Sequence, residues 1–207
     1  MHRKLCFDVD GVIANFTDSY SAAITRLTGI ALPKASDSFP HTWYWDREIL
    51  SQEQLEMVWD TAIRPEGANF WLALAPLPNA IETIHRLNVL SKQGHEVTFM
   101  TAREGDRAKT QTEMWLHSYG MDYPTVLVTN DKILIVDALK MDFFVDDRLY
   151  TVDDLAQRME MFEIFDEPRP VKDRIYLVNR PYNQEPCHAF IKRVASVKEA
   201  LQLEGLW

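Results

Sequence analysis

The run Leu5-Cys6-Phe7, followed at once by Asp8-Val9-Asp10-Gly11-Val12, restricts this chain more than any other stretch. The apolar run reads as a strand over 4–9, and residues two apart in a strand share a face. Asp8 and Asp10 would then crowd two like charges at the strand's end, while Gly11 permits a sharp turn away from it. Such a pair is costly unless a cation lies between the carboxylates or one of them holds a proton. The plain alternative is a surface strand end carrying two solvated acids, and five residues alone do not choose between these readings.

The strand-then-polar pattern recurs. Val97-Thr98-Phe99-Met100 ends in Thr101-Ala102-Arg103, and Phe143-Phe144-Val145 ends in Asp146-Asp147-Arg148. The spacing predicts a helix over 79–93, a strand over 95–100, a helix over 106–119, a short strand over 125–128, a helix over 131–140 and a strand over 142–146. This alternation argues for a parallel sheet with helices on both faces. Ligands of such sheets bind outside the carboxyl ends of the strands. Asp8, Thr101 and Asp146, each ending a strand, are therefore expected to meet. Beyond Arg148 we expect a helix over 151–159, an edge strand over 174–178 and a short closing helix capped by Ser196 and Glu199.

Between the first strand and the first αβ unit lie roughly 65 residues, far more than the ~2–6 of an ordinary βα loop, so this interval must itself be structured. Phe16, Tyr20, Ile24 and Leu27 recur at helical spacing ahead of Gly29. Leu55, Val58, Trp59 and Ala62 repeat in the same way, behind a capping-box signature at Ser51 and Gln54. The aromatic, turn-rich stretch Phe39-Pro40-His41-Thr42-Trp43-Tyr44-Trp45 separates the two helices. The expected organisation is a core of residues 1–14 and 76–207, with residues 15–75 forming an inserted helical cap.

A net charge of −9 disfavours an extended nucleic-acid binder, which needs a basic surface. Two cysteines argue against a disulfide framework and for a reducing compartment. The basic start Met1-His2-Arg3-Lys4 leads directly into the strand, with no signal-peptide core. The longest uncharged run, Gly67 to Ile81, is interrupted by Pro76 and Pro78 and is too short to span a bilayer. The expected location is cytoplasmic, with no membrane partner and the oligomeric state left open.

Asp-x-Asp, a strand-terminal Thr, a Lys and an acidic pair, in that order over residues 5 to 148, resemble the four-motif set of the haloacid dehalogenase-like phosphohydrolases. The resemblance implies a doubly wound α/β core and phosphoryl transfer to Asp8, with Asp10 as acid and then base. It implies Mg²⁺ held by the Asp8 carboxylate, the backbone carbonyl of Asp10, and Asp146. Thr101 would donate its hydroxyl to a phosphoryl oxygen. Lys132 would neutralise charge, preferred over Lys140 because helix starts face the site in this topology. Asp147 would orient Lys132 or metal-bound water from a second layer. Arg103 and Arg148 are read as structural ion-pair partners, outside the catalytic set.

Asp-x-Asp-Gly-Val-x-Ala, the aromatic cap segment, Phe70-Trp71-x-x-Leu74-x-Pro76-Leu77-Pro78-Asn79-Ala80 and the closing Phe-Val-Asp-Asp-Arg look like the 5′(3′)-deoxyribonucleotidase branch. That likeness implies a small phosphomonoester as substrate, a (deoxy)nucleoside monophosphate first of all. Its base would stack on Phe16 and on one or more of Trp43, Tyr44 and Trp45. Other readings remain: a sugar phosphate, a terminal phosphate of an oligonucleotide, or a domain of this fold that binds a nucleotide or partner without turnover. Retention of Asp8, Asp10 and Asp146 argues against the last, since binding alone needs neither a nucleophile nor an acid.

Overall fold

A computed structural model describes residues 2–33, 45–164 and 170–207. Six parallel strands form one sheet in the order β3-β2-β1-β4-β5-β6, where β1 is Lys4–Asp8, β2 Glu96–Thr101, β3 Thr125–Val128, β4 Phe143–Asp146, β5 Ile175–Val178 and β6 Ile191–Val194. The helices are α1 (Phe16–Thr28), α2 (Gln52–Val58), α3 (Ala80–Lys92), α4 (Ala108–Ser118), α5 (Lys132–Ala138), α6 (Leu149–Ile164) and α7 (Val197–Leu203). Among the described residues no helix is long and apolar enough to cross a membrane.

Strand parity divides the interior into two layers. Leu5 and Phe7, Phe143 and Val145, and Tyr176 and Val178 pack with α3, α4 and α7. Their alternates Cys6, Phe144, Ile175 and Leu177 pack with α5 and α6. Helices thus cover both faces, which is why the central strands read as continuous apolar runs.

Two sequence expectations need correction here. The strand at 175–178 is internal, because β6 pairs with it and takes the edge. With apolar side chains only at Ile191 and Val194, β6 carries too little periodicity to be recognised. The stripe Leu55-Val58-Trp59-Ala62 also does not lie on one regular α-helix. The Ser51–Gln54 capping box forms, but α2 gives way at Trp59–Ile63 to a π-helical turn, with the Arg64 N–H bonding the Trp59 carbonyl at 2.9 Å. The wider turn accompanies a contact of the Trp59 indole N–H with the Tyr20 hydroxyl at 3.1 Å.

Among the described residues of 15–75, none belongs to a sheet strand. The chain leaves and re-enters the sheet domain at one place. Asn15 N–H bonds the Ala75 carbonyl (2.8 Å) and Leu77 N–H bonds the Ile13 carbonyl (2.9 Å). The returning segment is then held by α4, where the Gln111 side chain bonds Trp71 N–H and the Ala68 carbonyl, and the buried Trp115 indole donates to the Leu74 carbonyl at 2.7 Å.

Candidate active site

The strand order reverses direction between β1 and β4, so the crevice beyond their carboxyl ends is where an open parallel sheet can hold a ligand. Phe7 lies opposite Val145, which sets Asp8 and Asp146 side by side, and Asp8 pairs with Met100, which brings Thr101 alongside. Parity then sorts the polar partners. Asp8 and Asp146 share the phase of Cys6 and Phe144, the layer covered by α5. Lys132, first residue of that helix behind the Asp131 N-cap, sets its Nζ 2.7 Å from both Asp8 Oδ1 and Asp146 Oδ2. Lys140 is exposed at the other end of the helix, away from this cluster.

Asp8, Asp146 and Asp147 are all buried, and each offers a carboxylate oxygen within 4.8 Å of the others. Asp146 has both oxygens engaged, Oδ2 by Lys132 and Oδ1 by the Arg148 N–H at 2.8 Å. Asp147 Oδ2 accepts the Tyr182 hydroxyl, its carbonyl accepts the Asn183 amide at 2.6 Å, and among the described residues its Oδ1 has no hydrogen-bond partner. Three buried carboxylates face one ammonium, which leaves excess negative charge in the cluster. Burial pushes the Asp8 carboxyl well above the ordinary range, opposed by Lys132 and reinforced by Asp146, Asp147 and Asp10. Burial and then Asp146 push Asp147 up to about 6, against the Tyr182 hydrogen bond and Arg180. Burial works against the Lys132 charge, yet Asp146 and Asp8 more than offset it and hold the ammonium above the usual lysine range. An all-oxygen donor set with an unpartnered buried oxygen and excess negative charge fits a hard divalent cation.

Asp10 stands apart from that cluster. Its carboxylate turns toward the α4 side, accepting Thr101 Oγ1 at 3.1 Å and a two-pronged contact from Arg103, Nε at 2.9 Å and Nη2 at 2.8 Å. Arg103 is itself buried, donates to Thr112 Oγ1 at 2.8 Å and lies 4.9 Å over the Trp71 ring. Thr101, expected to face a phosphoryl oxygen, therefore spends its hydroxyl on Asp10 in this state.

A cavity of about 280 Å³ opens over Asp8, Asp10, Thr101 and Lys132 and runs up to aromatic walls. Phe16 lines it and makes near-parallel contacts with Tyr20 (centroids 5.0 Å) and Trp71 (5.8 Å). Trp45 lines it and is buried, whereas Trp43 and Tyr44 lie outside the described residues. Tyr20 and Trp59 also border the cavity. Their helical spacing was legible in the sequence, but a stripe facing a ligand cavity and a stripe facing a core have the same period. Arg180, Tyr182 and Asn183 carried no signal, since the contacts that bring them to the site, with Gly11 and Asp147, are long-range.

Over residues 3–203 the sequence matches the family described as "5' nucleotidase, deoxy (Pyrimidine), cytosolic type C protein". It is 27% identical over 148 residues to a Bacillus cereus protein named "Putative nucleotidase", covering 65% of this chain and 68% of that one. The fold is shared with a crystal structure titled as a dehalogenase, at TM-score 0.54 and 14% identity over 98% of this chain and 96% of the other. It is likewise shared with one titled "putative beta-phosphoglucomutase from Thermotoga maritima", at TM-score 0.52 and 15% identity over 99% of both chains.

At Gly11 the loop after β1 lies close against the last motif. Its φ is +76°, and a Cβ there would overlap the Asp147 carboxylate and stand 2.8 Å from the Tyr182 hydroxyl. Gly29 has a similar φ of +74° with nothing within 4 Å. Gly29→Ala should cost only the left-handed backbone penalty of ~1–2 kcal/mol. Gly11→Ala should cost more in thermal unfolding and also abolish turnover. Equal stability losses would show that the loop gives way without cost.

Proposed function

The chain belongs to the 5′ nucleotidase, deoxy (pyrimidine), cytosolic type C family and is a phosphohydrolase, and from that premise we propose that it hydrolyses (deoxy)nucleoside monophosphates through an aspartyl-phosphate on Asp8. The observation that carries this reading is a single cavity with Asp8, Thr101 and Lys132 at one end and Phe16, Tyr20, Trp45, Trp59 and Trp71 around the other. A phosphate site alone would suit any monoester. Aromatic walls above it suit a flat base, whose stacking contributes ~1–3 kcal/mol with little regard to base identity.

An Asp8 carboxylate oxygen attacks phosphorus in line as the bond to the ester oxygen breaks, and Asp10 delivers a proton to that oxygen. Asp10 then takes a proton from the water that attacks the aspartyl-phosphate, releasing inorganic phosphate and regenerating Asp8. Lys132 offsets the charge gathered around Asp8. Thr101, which donates to Asp10 here, would turn its hydroxyl to a phosphoryl oxygen when substrate is bound.

Mg²⁺ is the cation we assign to the carboxylate cluster, where it would neutralise phosphoryl charge and act as a Lewis acid. Asp8, the Asp10 carbonyl and one or both of Asp146 and Asp147 would hold it. Because both Asp146 oxygens are already engaged and Asp147 Oδ1 is not, we give Asp147 the direct contact. Asp146 then chiefly holds Lys132, the reverse of the order suggested by sequence. Residues 15–75 serve as the cap that supplies the aromatic walls, a reading supported by the adjoining entry and exit at Ile13–Asn15 and Ala75–Leu77. The family's cytosolic designation and the two free cysteines support a cytoplasmic site of action.

Three measurements test this reading. Asp8→Asn keeps the shape and should remove turnover of every monoester; activity within a few-fold of the unaltered enzyme would exclude the covalent route. Activity should vanish on chelation and return with Mg²⁺, and Asp147→Asn should raise the Mg²⁺ requirement more than Asp146→Asn; the opposite order would return the direct contact to Asp146. Nucleoside monophosphates should exceed sugar phosphates in kcat/KM. Phe16→Ala should lower that value about 5- to 150-fold for a nucleotide and little for phenyl phosphate. Equal losses on both substrates would make Phe16 a packing residue of the Tyr20–Trp71 cluster.

A further inference from the structure

The four motifs end at Arg148, yet the chain after them touches the motif loops from behind. The connection between β5 and β6 contains a short 3₁₀ turn, Pro181–Asn183. Tyr182, nearly buried, donates its hydroxyl to Asp147 Oδ2. Asn183, also buried, uses its amide to bond the Asp147 carbonyl at 2.6 Å and the Val178 carbonyl at 2.9 Å, tying the turn to β5. Arg180 Nε donates to the Gly11 carbonyl at 2.8 Å, on the loop that follows Asp8 and Asp10. One connection therefore grips the first and last motifs at the same time.

The consequence falls on Asp147. A buried carboxylate beside Asp8 and Asp146 is repelled by both and would lower its energy by rotating away. The Tyr182 hydroxyl occupies Oδ2 and the Asn183 amide fixes the backbone. Among the described residues Oδ1 is left unpartnered, on a carboxylate that offers an oxygen within 4.8 Å of those of Asp8 and Asp146. Building on the cation reading above, we propose that Tyr182 is a positioning residue for the metal site, and that the Arg180–Asn183 connection is a clamp which presents Asp147 Oδ1 and the Gly11 loop to the cation. Tyr182 touches neither substrate nor reacting atoms; it acts through Asp147.

Calorimetric titration of Mg²⁺ into the chelator-treated full-length protein tests this without reference to turnover. Tyr182→Phe removes one hydroxyl and leaves the ring in its pocket. The Mg²⁺ dissociation constant should rise about 10- to 100-fold, as is typical when a partner of a metal-holding carboxylate is removed. Kinetically, kcat should recover at saturating Mg²⁺, separating positioning from a direct catalytic role. Tyr176→Phe is the matched control, because that hydroxyl donates to Glu204 (2.6 Å) away from the site, and Mg²⁺ affinity should stay unchanged. Should Tyr182→Phe fail to fold, Arg180→Met, which releases the other arm of the clamp, must weaken Mg²⁺ in the same direction. Unaltered protein that binds Mg²⁺ while Tyr182→Phe binds it within twofold as well would overturn the clamp alone. Unaltered protein that binds no Mg²⁺ would overturn the cation reading and the clamp together.

Discussion

Asp8 and Asp146 end adjacent parallel strands, and the register that pairs Phe7 with Val145 leaves them no choice but to share a buried corner of the sheet. Most of the site can be read as a response to that enforced repulsion. Lys132 reaches both carboxylates from the start of α5, because strand parity turns them toward the layer that α5 covers. One ammonium cannot balance three acids, so Asp8 is pushed toward its neutral form by burial until further positive charge arrives. A divalent cation would meet that demand, and would offset the charge of an incoming phosphoryl group as well.

Asp10 escapes the same crowding by a different route. It belongs to the same motif as Asp8, yet its carboxylate is gathered by Arg103 and Thr101 on the α4 side. Strand geometry makes two acids at i and i+2 neighbours only while the strand continues, and β1 ends at Asp8. The turn through Gly11 then carries Asp10 to a separate set of donors. Separation of the two carboxylates into distinct electrostatic environments fits the proposed division of labour, with one as nucleophile and the other as proton carrier. Arg103 in turn rests over Trp71, which contacts Phe16, so the wall of the cavity and the holder of Asp10 are in direct contact.

Residues between β1 and α3 add an aromatic surface to a site whose other side chains are polar and charged. Phe16, Tyr20, Trp59, Phe70 and Trp71 form one aromatic cluster, joined to the polar network through the Trp59–Tyr20–Asp46 hydrogen bonds. Part of this cluster faces the cavity and part holds the insertion against α4. The same side chains thus line the cavity and pack against one another, so the loss of one ring must be assayed on two substrates to separate a binding role from a packing one.

By itself the sequence determined the β–α alternation, the strand ends that carry Asp8, Thr101 and Asp146, and the choice of Lys132 over Lys140 as the lysine at the helix start. Each follows from short-range rules: period two in strands, period 3.6 in helices, and ligands at the carboxyl edge of a parallel sheet. Only the tertiary structure placed Asp10 on Arg103 and left Asp147 Oδ1 without a partner. It also revealed β6 and brought Arg180, Tyr182 and Asn183 behind the site. Those contacts join residues 35 to 169 positions apart, and they depend on which strand lies beside which. Local periodicity says how a segment presents its side chains; the order of strands in the sheet says what they meet.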